Sequence, residues 1–396
     1  MKKILILLVL MTSACSTTDD FLPGFFPDFI TDYFKPEVKP YADLPEFISG
    51  VETKLIWERN LPGKIENTYS FLNLYKYNED LFVPTNEKRI FVISSESGEI
   101  KKSIDINLDI FSNIIVDSRL IYFGTLQDTI TALNISNNEV FWQRVMPSEV
   151  MSISEVFNNA IFIRTNDSKI TAININTGEF LWVNSQIPTE LSIRGASIPI
   201  ADDDKLFVGF EDGKIVSYNN LNGDINWQAQ IPPINTETII DRLNDIDGRM
   251  IIDDGVLYAI SYQGNVVAID IYSGQMLWKK EASSLFGLES DEDNIFYIDD
   301  EGVLWCIEKY AGRPVWKQDK FYKRLTGSPI FYNNFIIARD IENYIHLIDS
   351  TNSEILGRIK IKEEIQSMHV ESNSLYILDK NFSLKKYEIN KTLLED

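Results

Sequence analysis

One interval recurs along this chain and limits what it can fold into. An apolar residue is followed nine positions later by tryptophan at Leu133 and Trp142, Ile173 and Trp182, Tyr218 and Trp227, Ile269 and Trp278, and Ile307 and Trp316. Ile93 with Lys102 and Ile348 with Gly357 keep the spacing without the tryptophan. The residue just before the apolar position is mostly small: Val92, Ala132, Ala172, Ser217, Ala268, Cys306 and Leu347. Four residues before the tryptophan position stands Gly98, Gly178, Gly223, Gly274 or Gly312, with Asn138 and Ser353 in the other two copies. Gly and Asn at that offset suit a turn residue with positive φ. The copy Leu257 to Trp278, LYAISYQGNVVAIDIYSGQMLW, reads as short strands separated by tight turns. Two or three such strands expose an apolar face and are marginal in water. The copies must therefore stack on one another.

The two ends of the repeat region say how the stack terminates. Residues 51 to 60, VETKLIWERN, resemble an outer strand with no repeat of their own, Trp57 being flanked as the repeat tryptophans are. Leu375 to Ile389 supplies two strands of a last repeat; its apolar anchor is Tyr387, and nine positions on is Asp396. The economical arrangement has the Trp57 strand completing the last sheet, which closes a ring and removes the exposed ends of an open stack. The tryptophan positions 57, 102, 142, 182, 227, 278, 316 and 357 are 38 to 51 residues apart, about 43 on average, as expected of four-stranded units. The fourth, innermost strand is expected before each LYAIS-like segment, at Ala196 to Ile200, Arg249 to Ile252 and Ser328 to Tyr332. The fold class expected is all-β: an eight-bladed β-propeller of four-stranded antiparallel blades over residues 51–396, closed by an N-terminal strand in the last blade.

Composition excludes several functions. With 37 basic against 59 acidic residues, the chain lacks the basic footprint of nucleic-acid binding and would not bind anionic lipid through its body. A solvated acidic surface accounts for most of this charge. The chain has two cysteines. Cys306 occupies the small inward position of its repeat and is expected to be a packed thiol. No disulfide framework follows from one cysteine in the body. His346 and His369 lie in separate repeats and read as ordinary strand residues.

Residues 1–14 read as a targeting segment: Lys2 and Lys3, an apolar run from Ile4 to Met11, then Thr12-Ser13-Ala14 before Cys15. The apolar run is too short for a stable span. The pattern resembles a bacterial lipoprotein signal, with cleavage before Cys15 and lipid on that residue, although Thr12 stands where such signals usually carry Leu. Several acyl chains would hold the protein firmly, since one chain alone is marginal. Ser16 after the cysteine implies outer-membrane sorting, and so a lipid-anchored protein on the periplasmic face. Residues 15–50 read as a tether, with Pro23, Pro27, Pro36, Pro40 and Pro45 among aromatics and acids.

The family resemblance rests on what the repeat contains and lacks. No Trp-Asp dipeptide ends the copies and no Gly-Gly pair occurs, which sets aside WD40 and kelch patterns. The motif apolar-x-Ala-[Ile/Leu]-[Asp/Asn], followed by Thr/Ser-Gly and then Trp, resembles the PQQ-type repeat. That family includes quinoprotein dehydrogenases and the BamB lipoproteins of the outer-membrane barrel-assembly machinery. The repeat alone does not separate them. Quinoprotein alcohol dehydrogenases commonly carry a vicinal disulfide over the cofactor, and no adjacent cysteine pair exists here. They also need Ca²⁺ held by oxygen ligands, and no motif here supplies such a cluster.

The longest interval, 51 residues, holds the loop Pro232 to Met250, PPINTETIIDRLNDIDGRM. Its segment Ile240-Asp241-Arg242-Leu243-Asn244-Asp245-Ile246-Asp247 is similar to the IDRLxDVD loop of BamB and sits at the corresponding blade junction. Lys323 to Pro329, which includes Arg324 and Leu325, also resembles a BamB stretch. In physical terms Arg242 suits bidentate contact with a carboxylate or with strand-edge carbonyls. Leu243, Ile239, Ile240 and Ile246 suit partner pockets, and Asp245 and Asp247 suit local bonds that hold a turn. The resemblance implies a scaffold without chemistry, cofactor or metal. Its partners would be the periplasmic POTRA domains of BamA and unfolded outer-membrane clients, and its partner-binding residues Ile240, Asp241, Arg242, Leu243, Asp245, Asp247, Arg324 and Leu325. The alternatives are a PQQ-dependent quinoprotein and an envelope lipoprotein propeller with another partner.

Overall fold

The computed structural model describes residues 40–64, 72–188, 197–234 and 244–391. The chain divides into Met1–Pro40 and Tyr41–Asp396, and the architecture is that of the second unit. The signal segment, Cys15 and most of the tether lie outside the described residues.

Thirty-two strands form eight four-stranded antiparallel sheets. Seven blades are contiguous in sequence: Tyr75–Asp105, Ile110–Val145, Val150–Ser185, Ile200–Gln230, Ile251–Glu281, Glu289–Gln318 and Leu325–Lys360. The eighth takes three strands from Ile365–Lys391 and its outer strand from Val51–Asn60. Leu55 pairs with Tyr387 and Trp57 with Lys386 across that joint, so the ring closes as the sequence implies. The inner strands begin later or earlier than sequence reading places them. In blades 4 and 5 they are Ile200–Asp202 and Ile251–Asp253, and in blade 7 the strand is longer, Leu325–Tyr332. The inner strands are short where the preceding connection is long, because the chain spends residues crossing the ring.

The small-then-apolar pair of the repeat has a structural cause. In each of the seven contiguous blades the ladder between third and outer strands slips at that pair, for example between Ala172 and Ile173 or Ala268 and Ile269. The slip places the tryptophan opposite the small residue: Ala132 faces Trp142, Ala172 faces Trp182, Ser217 faces Trp227, and Cys306 faces Trp316. A β-bulge bends the outer strand at that point. Where the outer residue is Gly357, its partner is the larger Leu347. Volume is exchanged across the strand, as close packing requires. Cys306 is fully buried, and its thiol is pushed up to about 12 by burial and by nearby Asp291.

Each tryptophan then ties its blade to the next. Trp182 Nε1 donates to the Asn220 carbonyl at 3.0 Å, and its ring lies against Phe162 and Tyr218 at about 6 Å. Gly223 has φ +77°, and a Cβ there would come within 2.6 Å of the Trp182 ring. Only glycine meets both demands. The same donation recurs from Trp57 to Glu96, Trp142 to Ile175, Trp227 to Ile271, Trp278 to Lys309 and Trp316 to Ser350. Lys102 reproduces it with its ammonium, donating to the Ile135 and Ser136 carbonyls. No tryptophan ring covers that turn, and Asn138 serves in place of glycine with φ 62°.

Antiparallel order fixes two rims. Hairpins from the first to the second strand and from the third to the outer strand share one rim. Turns between second and third strands share the other with the connections from blade to blade. Among the described residues, this interblade rim carries 231–234, 244–250 and 319–324.

Candidate functional site

The connection from blade 4 to blade 5 enters the interblade rim at Ile231 and leaves it at Met250, both fully buried or nearly so. Residues 235–243 lie outside the described residues, and with them Ile239, Ile240, Asp241, Arg242 and Leu243. The base of the loop, Asn244 to Met250, is described and is held by the rim. Asn244 Nδ2 donates to the Ile231 carbonyl at 2.5 Å, Ile246 N donates to Phe210 O at 3.3 Å, and Tyr262 N donates to Asp245 O at 2.9 Å. The two strands of the loop base are thus pinned to each other and to the turns of blades 4 and 5.

Two readings of this base are corrected. Ile246 is not a partner anchor. It is 0 % exposed and packs with Phe207, Ile231, Met250 and Leu257 between blades 4 and 5. A Cβ on Gly209 would stand 2.6 Å from its Cγ2, so the glycine makes room for the wedge. Nor does Asp247 hold the turn by a local bond: its Oδ1 is buried without a hydrogen-bond partner. Backbone groups hold the turn, and the carboxylates are placed by it. Asp245 is fully buried beside it.

Beneath the base lies a charged cluster that sequence reading did not single out. Arg164, on the second strand of blade 3, is 1 % exposed. Its Nη2 pairs with Glu211 in the adjacent turn of blade 4, and its guanidinium lies over the Phe210 ring at 5.1 Å. Its Nε and Nη1 are buried without partners. Ser168 Oγ donates to the other oxygen of Glu211 at 3.5 Å. Burial pushes the Asp247 carboxyl up to about 7, with Asp245 and Glu211 adding to the rise and Arg164 opposing it. Buried carboxylates close together resist joint ionisation. Glu211 is paired with Arg164, and the largely protonated Asp247 carboxyl shares the rim with that pair. The repeat marks the position of Arg164 only weakly: by strand pairing it is Pro84, Gly124, Gly209, Ile260, Ile298 or Leu378 in other blades, but Arg339 in blade 7.

Arg324 and Leu325, expected to meet a partner, do not. Leu325 is 3 % exposed in the core shared by blades 6 and 7. Arg324 is 0 % exposed, with Asp340 at 2.9 Å and Glu342 at 2.5 Å. Its charge is satisfied inside the fold, and removing a partner from such a pair is costly. His346 sits in the same cluster, Nε2 3.0 Å from Asp340. Burial holds its pKa below the usual value, with Arg358 and Arg324 acting the same way against the pull of Asp340. His369 is a strand residue of blade 8 against Tyr376. Among the described residues no three His, Cys, Asp or Glu side chains converge to hold a metal ion.

The chain was compared with known proteins. The family model described as outer membrane protein assembly factor BamB matches residues 108–318. The outer membrane protein assembly factor BamB of Salmonella typhimurium is 31 % identical over 338 residues, covering 82 % of this chain and 86 % of that protein. The protein of the same name from Legionella pneumophila is 27 % identical over 390 residues, covering 98 % of this chain and 99 % of the relative. Among solved structures, BamB from Moraxella catarrhalis superposes with a TM-score of 0.76 at 20 % identity, over 85 % of this chain and all of that one.

Proposed function

The chain belongs to the BamB family of outer membrane protein assembly factors, and on that premise we propose that it is a scaffold subunit of the barrel-assembly complex. It performs no chemistry: it docks on the POTRA domains of BamA and helps outer-membrane clients reach the membrane. We place the docking point at the connection 232–250, with Arg242 and Leu243 as its contact residues and Ile240, Asp241, Asp245 and Asp247 beside them. The observation that carries this is the way the loop base is built. A hydrogen-bonded footing at Asn244–Asp247, wedged by Ile246, stands at the interblade rim. Binding residues set on a rigid scaffold lose less entropy on association.

Residues 1–14 are, in this reading, a cleaved lipoprotein signal, with residues 15–50 a periplasmic tether that carries the lipid on Cys15 and whose last stretch, Tyr41–Gly50, lies against the propeller. Client capture has a plausible surface in the outer strand of blade 3, Phe180–Ser185, which contains no charged residue and exposes Phe180, Leu181 and Val183. Most other outer strands carry a charged residue, as in Met276–Glu281, whereas Ile225–Gln230 of blade 4 is also uncharged. Charged side chains are a common guard on sheet edges, and an unguarded edge accepts an extended apolar strand by backbone pairing.

The test is co-purification. Arg242→Ala with Leu243→Ala is expected to abolish recovery of BamA while circular dichroism and thermal unfolding stay as in the parent chain. Undiminished recovery would remove the docking assignment.

A further inference from the structure

Seven of the eight joints between blades carry the same fastening, a side-chain N–H from one outer strand to a backbone carbonyl in the next blade's turn. The joint between blades 7 and 8 does not. Its outer-strand residue is Gly357, which has no side chain to donate. Blade 8 also has no hairpin between its third and outer strands, because Val51–Asn60 is supplied from the N-terminal side. The inner part of this joint is held by Arg339, which donates through Nη1 to the Ile365 carbonyl, and by Asn373 N, which donates to the Tyr332 hydroxyl at 2.7 Å; its outer edge lacks the fastening of the other joints.

Residues 41–50 run from that joint along blade 7 to the connection between blades 6 and 7. Gly50 N donates to Leu356 O at 2.9 Å, and Val51 lies beside Gly357. Arg358 Nη2 donates to the Pro45 carbonyl at 2.7 Å, and its guanidinium covers the Phe47 ring at 4.9 Å. At the far end Ala42 N donates to Tyr322 O at 3.0 Å. Arg324 Nη1 donates to Ala42 O at 2.8 Å, and Tyr41 donates through its hydroxyl to Glu342 at 3.1 Å. The two arginines are themselves linked inside blade 7. Arg324 meets Asp340, Asp340 accepts from His346 Nε2, and His346 Nδ1 accepts from Arg358 Nε at 3.2 Å. A buried, connected set of charges therefore holds the segment at two points.

We propose that Tyr41–Gly50 is a clasp that stands in for the missing fastening between blades 7 and 8. Its far end lies at the interblade rim: Glu342, which accepts from Tyr41, is in a turn between second and third strands, and Tyr322, which accepts from Ala42, is in a blade-to-blade connection. Tyr41 and Asn244–Met250 therefore stand at one rim of the propeller.

Amide hydrogen exchange on the full chain tests it without a partner or a membrane. The amides of Ala42 and Gly50 are expected to be protected in the parent chain. Tyr41→Ala with Phe47→Ala, both outside the buried charge set, is expected to lose that protection. It is also expected to speed exchange along Ile355–Lys360 and Val51–Asn60 while blades 2 to 5 exchange as before. Free-chain exchange at Ala42 and Gly50 in the parent would overturn the clasp. So would loss of protection there with no change at the two strands of the joint. A failed BamA pull-down would touch neither readout, so the two readings fall separately.

Discussion

Replacing Asp247 with Asn should change how the stability of the propeller depends on pH. Unfolded, this carboxyl ionises near 3.8; folded, it is pushed up to about 7, by burial first and then by Asp245 and Glu211. Between those values the folded state keeps a proton that the unfolded chain releases. The resulting stability is fully present below the unfolded value and is lost as pH rises toward about 7. A rise of roughly three units at about 1.4 kcal/mol each sets a ceiling of about 4 kcal/mol. The amide of Asn cannot ionise, so Asp247→Asn removes this term. Urea unfolding followed by tryptophan fluorescence, at about pH 4 and about pH 8, measures it. The variant is expected to gain roughly 2–4 kcal/mol on its parent between the two conditions. The other titrating groups are common to both proteins and cancel in the difference. Parallel pH profiles would refute the reasoning, because they would mean that Asp247 is solvated rather than held under the loop.

Four further outcomes follow from the same structure. Trp227→Ala, at a side chain 9 % exposed that donates to Ile271 O at 2.9 Å, should cost about 3–5 kcal/mol in denaturant unfolding, and Trp227→Phe distinctly less. Ile246→Ala should cost about 2–5 kcal/mol and weaken BamA recovery through the footing, whereas a neutral result would make the residue a surface one. Gly223→Ala should lower the melting temperature more than Gly255→Ala, since both have positive φ but only the first meets a tryptophan ring at 2.6 Å. Phe180→Lys with Val183→Lys should reduce cross-linking to unfolded outer-membrane proteins at unchanged stability, and unchanged cross-linking would dismiss the blade 3 edge.

The ring was legible because its signal is repeated. A glycine four residues before most of the repeat tryptophans and a small residue ten positions before them are three-dimensional constraints written in one dimension: the first lets the turn reach the indole of the neighbouring blade, the second lets the indole reach the strand. The closure was legible for the same reason, since Trp57 is an outer-strand tryptophan without a repeat in front of it. The site was legible in location and less so in detail. Arg324 looked like a surface contact because a charged residue in a blade junction usually is one. Its burial depends on Asp340 and Glu342, whose approach is set by the hairpin of blade 7 and by no local pattern. Ile246 looked like an anchor beside Arg242, but one residue of phase decides which side chains of a loop face the core. Arg164 went unnoticed because the repeat does not single it out: six blades carry Gly, Pro or an aliphatic residue at its position, but blade 7 carries Arg339.

The eighth blade also sets a timetable. Val51–Asn60 is among the first propeller strands to leave the ribosome, yet its ladder partner Ser383–Lys391 is the latest. Until that partner appears, the early strand has no sheet to join, and seven blades must assemble as an arc with two raw edges. Such edges invite pairing with other chains. A chaperone that covers Val51–Asn60 during export would therefore have its greatest effect on yield, and a circular permutation that makes this blade contiguous should fold faster and aggregate less.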